Sequence, residues 1–209
     1  MKDKFNKFSV PLGLLDYINP IFYTITILTI INNIVLESPY NIILFIGAII
    51  SIVFGFIIPT GKVLVGLNII EFKMPVSIVF MVNTGIFISG LMILMYTFNI
   101  SSIMLLLISI ISILLLVLIY SKTKKMNTIA VLIGAIGYLL IYISLIALSV
   151  EKGIILTIIL YALAILLFVI LCGIGIKANL KNPKIHWIIE ISNVICQMLV
   201  AISTIILFN

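Results

Sequence analysis

PKIHWIIEISNVICQMLVAISTIILF, residues Pro183 to Phe208, is the stretch whose reading decides the fold. It is an apolar run long enough to cross a hydrocarbon core as a helix, which takes roughly 20 residues. His186, Glu190, Asn193 and Gln197 interrupt it at spacings of four, three and four, so on a helix they form a single seam. On a soluble helix such a seam is ordinary surface. In lipid it needs a partner or a function, because hydrocarbon satisfies no polar group.

Composition makes lipid the solvent. Of the 209 residues 64% are apolar and 9% charged, with a mean hydropathy of +1.46, against roughly 25% charge in soluble domains. A water-soluble chain of this size cannot enclose that much apolar surface. The formal charge of +6 comes from twelve lysines, scattered singly or in small groups between apolar runs. No basic face follows a phosphate backbone, so nucleic acid is excluded as a partner.

Seven runs can be drawn, at about 18–36, 40–59, 75–97, 100–120, 128–149, 153–176 and 185–208. The lysines before the first run, with no small-residue cleavage site after it, make that run a retained anchor rather than a signal peptide. Pro20, Pro39, Pro75 and Pro183 fall near run starts and Pro59 at a run end, so no proline is expected in mid-helix. Asn19 and Ser38 are placed to act as N-caps. With the N-terminus cytoplasmic, eleven of the twelve lysines fall on the inner side and Lys152 alone outside, as the positive-inside rule requires. The expected architecture is an all-α polytopic integral membrane protein, a single-domain seven-helix transmembrane bundle with its C-terminus outside. A bacterial or archaeal cytoplasmic membrane is the expected location.

Within this frame, residues 60–74 suggest an interfacial helix, with Val63, Leu67, Ile70 and Met74 on one face. Gly47, Ser51 and Gly55, then Gly85, Ser89 and Gly90, and Ala130, Gly134 and Gly137, read as small-residue faces for close helix packing. Cys172 and Cys196 lie in apolar runs without a CxxC or Cys/His pattern and read as packing residues.

His186 and Glu190 lie at the inner mouth, expected either as a proton-responsive or cation-binding pair with Glu190 as the anion or as an interfacial pair that only stabilises the helix. With Asn193, Gln197, Asn83 and Thr84 they are the ligand or solute-lining candidates. Asn193 and Gln197 lie deeper and must line a solute path or bond to other helices, with Asn83, Thr84 and Ser89 as candidate partners. Asp16 and Glu71 are further inner-mouth candidates, Asp16 as a carboxylate at a helix start. GFIIPTGK at 55–62 is no phosphate loop: five residues separate its glycines and Val63 follows the lysine. With a single histidine, no metal site, catalytic constellation or cofactor is expected. Three functions follow in order. The first is a small-solute channel, transporter or transporter subunit working through the seventh span. The second is a non-catalytic accessory, assembly or immunity subunit, and the third a lipid-modifying enzyme at the cytoplasmic leaflet. Scarce intramembrane charge points to a small neutral solute. Other expected partners are membrane lipid and a membrane-protein partner or second copy.

Overall fold

The computed structural model describes residues 9–70, 75–123, 125–177 and 183–209. The described chain is helical throughout: α1 (Val10–Asp16), α2 (Ile18–Asn33), α3 (Tyr40–Gly66), α4 (Val76–Phe98), α5 (Ser102–Thr123), α6 (Met126–Glu151), α7 (Ile155–Lys177) and α8 (Pro183–Phe208). Among the described residues six stretches are long and apolar enough to cross a bilayer, α1 and α2 together forming the first, and α7 adds the apolar segment Ile155–Leu171. The protein is therefore an all-α, multi-pass membrane bundle of six to seven long apolar helices.

Helix α4 packs between α3 and α6 in the two most extensive helix contacts of the bundle. It can approach both because small residues meet on each side. A methyl added at Gly85 would stand 2.6 Å from the Gly47 carbonyl oxygen and 2.6 Å from the Ser51 nitrogen. One at Gly90 would stand 2.6 Å from the Gly137 carbonyl oxygen, and one at Gly137 2.7 Å from Phe87 Cα. The helices are in backbone contact, so dispersion substitutes for the hydrophobic drive that lipid removes. Gly55, the last member of its stripe, is different, since its nearest neighbour would be Pro20 Cβ at 3.6 Å. Gly55→Ala is thus expected to leave stability unchanged or slightly raised, within about 1 kcal/mol as helix propensity allows. Unfolding of the purified protein in detergent measures this.

Around α4, α8 packs on α7 and α2, α1 packs on α3, and α5 sits at the edge on α6. The buried hydroxyls of Ser89, Ser149 and Thr204 donate to the carbonyl four residues back, which satisfies their hydrogens within their own helices. Only 6% of the most apolar stretch of α5 is buried, and Ile103, Leu106, Leu114 and Leu118 are more than half exposed. In water this would be a large aggregation-prone patch; in a bilayer it is the lipid contact.

Contacts between chain-distant residues join helix ends as alternating passes require. Tyr17 and Thr60 hydroxyls bond at 2.6 Å at one end. At the other, Tyr40 bonds Ser102, Tyr161 bonds Thr204 at 2.9 Å, and Lys152 Nζ donates to the Leu207 carbonyl at 2.9 Å while lying 4.9 Å from the Phe208 ring centre. Lys152 thereby serves one of the carbonyls that the end of α8 leaves without a helical partner.

The structure corrects several local expectations. Helix α3, the second apolar run, does not stop at Pro59 but carries it internally and continues to Gly66, so 60–66 extend a span instead of starting an interfacial helix. Leu67 then caps α3 and Asn68 turns the chain with φ 57°. Residues 71–74, with Glu71, lie outside the described residues. Neither Asn19 nor Ser38 caps a helix: the N-cap of α2 is Tyr17 and that of α3 is Pro39, each without a side-chain bond. Asp16 is the last residue of α1 and not the first acid of a helix.

Candidate functional site

At the end of the bundle shared by the starts of α2, α4 and α8 and the end of α3, two polar seams face each other. One is the seam of α8. The other runs along α1 and α2 through Asp16, Asn19, Tyr23 and Thr26, at spacings of three, four and three, and all four residues are buried. Since α2 packs on α8, the two seams meet level by level.

The first level is ionic. Lys62 Nζ, from the extended end of α3, lies 2.7 Å from Asp16 Oδ2 and 2.7 Å from Glu190 Oε1. The three side chains are only 17%, 11% and 12% exposed. Placing Lys62 there requires α3 to run one full turn past Pro59; a helix ending at the proline would leave the lysine in a loop. Asn19 Nδ2 donates to Asp16 Oδ1 at 3.0 Å and reaches Glu190 Oε2 at 3.5 Å. Both partners are carboxylates, so the amide must turn its nitrogen to them. Its oxygen, buried with a residue exposure of 9%, then has no hydrogen-bond partner among the described residues.

The second level is a cavity of about 150 Å³ lined by residues of six helices. Asp16 and Asn19 line it beside the ionic level, Tyr23, Ser51, Tyr138 and Asn193 add further polar groups, and Ile58, Val82 and Ile86 add apolar ones. Ser51 Oγ and Tyr23 Oη bond at 2.9 Å. Among the described residues its lining contains no lysine, arginine or histidine; Lys62 pairs with Asp16, and Glu190 approaches Asn19, without either lining it. The third level is a void of about 10 Å³ between Tyr23, Thr26, Tyr138 and Gln197, close to the smallest space that holds one water. Thr26 Oγ1 is buried there without a partner among the described residues. Tyr23 and Tyr138 border both spaces and meet edge to face at 6.2 Å. Behind them Tyr138, Tyr142 and Phe168 pack with ring centres 5.8–6.1 Å apart, a geometry that favours offset or edge contacts. Buried Ile27, Ile30 and Val200 form the apolar part of the void's lining.

The α8 residues are thus divided. Asn193 lines the cavity, Gln197 the void, and Glu190 is held by Lys62. His186 is half-buried one turn nearer the helix start and borders neither space. Asn83 and Thr84 border neither as well: Asn83 packs its amide over Gly134 of α6, and Thr84 Oγ1 is buried without a partner among the described residues. Ser89 bonds back to Gly85 at 2.9 Å. Cys196 is buried, and its Sγ donates to the Ala164 carbonyl oxygen at 3.3 Å. As site residues Lys62, Tyr23, Ser51 and Tyr138 are not indicated by the sequence, in which Lys62 reads as a topological charge and Ser51 as a packing residue, and Asn19 reads chiefly as a cap beside Asp16. The first-span seam was nevertheless visible, as polar residues at 16, 19, 23 and 26 in helical register.

Among the described residues no three His, Cys, Asp or Glu side chains gather as a metal-binding group. No protein family matches the chain, and no curated protein or solved structure matches it either. Function is therefore argued from the site alone.

Proposed function

We propose that this multi-pass protein is a small-solute channel, a transporter or a subunit of one, and that the solute occupies the cavity between the α2 and α8 seams. One observation carries the reading: a cavity with polar groups in its lining lies on the Asn193 face, in a bundle whose α3–α4 and α4–α6 contacts are close enough to bring backbone against backbone. A space of this kind is costly to keep in a close-packed interior and is the default place for a ligand. In this reading Asn193 and Gln197 line the path, Tyr23 and Tyr138 form the constriction between cavity and void, and the Asp16–Lys62–Glu190 cluster stands at the mouth. Asn83, Thr84 and His186 have no part in it. The proposed topology has seven passes, with the N-terminus and the mouth cytoplasmic and the C-terminus outside. Eleven of the twelve lysines support that orientation.

An accessory role is the second reading, favoured by one fact. Glu190, half of the ionic level of α8, is already bonded within the chain, so the seam can serve as internal glue.

Reconstituted liposomes separate the two. The parent is expected to pass at least one of urea, glycerol and ethylammonium faster than protein-free liposomes. Asn193→Leu with Gln197→Leu, in a variant shown to fold, is expected to return the rate to the protein-free level. Equal flux in parent and folded double variant would overturn the solute-lining role, and loss of folding would favour glue.

A further inference from the structure

We propose that the cavity binds a small primary ammonium group, with the Asp16 carboxylate and the Asn19 amide oxygen as its acceptors; this rests on the reading of the cavity as a solute site. The argument begins with charge. The mouth cluster holds two carboxylates and one ammonium, and the cavity is lined by one of the carboxylates but not by the lysine. A ligand inside therefore meets a negative end. Hydrogen-bond balance points the same way. Asn19 Oδ1 is a buried acceptor with no partner among the described residues, and its orientation is fixed by two carboxylates on the amide nitrogen. Asp16 retains lone pairs beyond the bonds it makes to Lys62 and Asn19. Among the described residues the cavity lining itself contributes no cationic N–H donor, although Asp16 takes one from Lys62 outside it.

Shape and wall complete the assignment. Tyr23 and Tyr138 offer aromatic surface to a cation, and Ile58, Val82 and Ile86 suit a short alkyl portion. About 150 Å³ accommodates a ligand of only a few non-hydrogen atoms. A divalent ion fits poorly, because Lys62 lies 2.7 Å from both carboxylates that would ligate it. A quaternary ammonium has the charge but no N–H for Asn19. The sequence reading favoured a neutral solute because the acids are few; the folded chain places two of the six at one mouth. The ammonium belongs either to a free small amine or to a lipid headgroup of the ethanolamine kind, which share this chemistry.

The test is calorimetric binding to the full chain in phosphatidylcholine nanodiscs. Ethylammonium is expected to bind at least tenfold more tightly than tetramethylammonium, sodium or the neutral donor acetamide. Asn19→Leu, which alters no charge, is expected to weaken it at least tenfold, as is Asp16→Asn where that variant folds. A folded Asn19→Leu protein that binds ethylammonium like the parent, or sodium competing equally well, would overturn the assignment. Acetamide binding more tightly than ethylammonium, and weakened by Asn193→Leu, would overturn it while leaving the solute site standing. Absence of any binding would remove both. Nanodiscs with phosphatidylethanolamine distinguish the two sources. Supported competition with ethylammonium identifies the headgroup, and unchanged affinity identifies the free amine; either result upholds the ammonium assignment.

Discussion

Lys62→Met is expected to destabilise the protein by about 3–5 kcal/mol, the usual cost of removing one partner from a buried ion pair. The cost arises because Asp16 and Glu190, each within 2.7 Å of Nζ, would be left as two neighbouring carboxylates with 11% and 12% exposure. Asn19 can donate to both but supplies no charge. Neutralising the acids together with the lysine, in Asp16→Asn, Lys62→Met, Glu190→Gln, is expected to recover much of that loss, since desolvating a charge cluster offsets most of its attraction. Reversible unfolding in detergent measures both variants. A single Lys62→Met variant as stable as the parent, or a triple variant less stable than the single, would contradict the cluster's role in holding α1, α3 and α8 together.

The second large effect is expected at the α4 contacts. Gly85→Ala inserts a carbon 2.6 Å from two backbone atoms of α3, and backbone cannot swing aside as a flexible side chain can. Overpacking of this kind costs about 1–3 kcal/mol, and up to about 1 kcal/mol returns from helix propensity. The net loss is expected to exceed that of Gly55→Ala, although both substitutions are chemically identical. Gly90→Ala and Gly137→Ala open the same α4–α6 seam, so their combined cost is expected to be smaller than the sum. The same unfolding assay, run on singles and the double, reads both statements. Additive losses would show that the two sites relax independently.

What was legible in the chain follows from what lipid enforces. Long apolar runs are visible because hydrocarbon leaves the backbone few alternatives to helix, and small residues at helical spacing announced the α3–α4–α6 contacts. Local rules failed where tertiary structure outweighed them. Pro59 was expected to end a helix on its own chemistry, yet the helix carries it and extends to Gly66. That extension brings Lys62 to two carboxylates distant in sequence. A lysine near a predicted span end is indistinguishable, by sequence alone, from one set there for topology.

The site was half visible for a related reason. His186, Glu190, Asn193 and Gln197 were identified as one seam, but a seam becomes a site only through what it faces. Periodicity reports the face of one helix and not its neighbour. The matching series at Asp16, Asn19, Tyr23 and Thr26 is within reach of the same argument, although Tyr and Thr register only weakly as polar interruptions in an apolar run. Ser51 and Tyr138 carried no such signal, since single hydroxyls recur throughout this chain. Asn83 was the reverse case, a polar residue whose amide packs over Gly134.

The central claim is that the two seams enclose a space reached by water from the cytoplasmic mouth. Substituted-cysteine labelling tests it most directly, in a background of Cys172→Ser and Cys196→Ala, with a membrane-impermeant thiol reagent applied to one face of sealed vesicles at a time. Ser51→Cys and Asn193→Cys are expected to react from the cytoplasmic face, while Leu114→Cys on the exposed apolar face of α5 stays unreactive from either side. Ser51→Cys and Asn193→Cys as inert as Leu114→Cys in folded protein, or reactive only from the opposite face, would contradict the account.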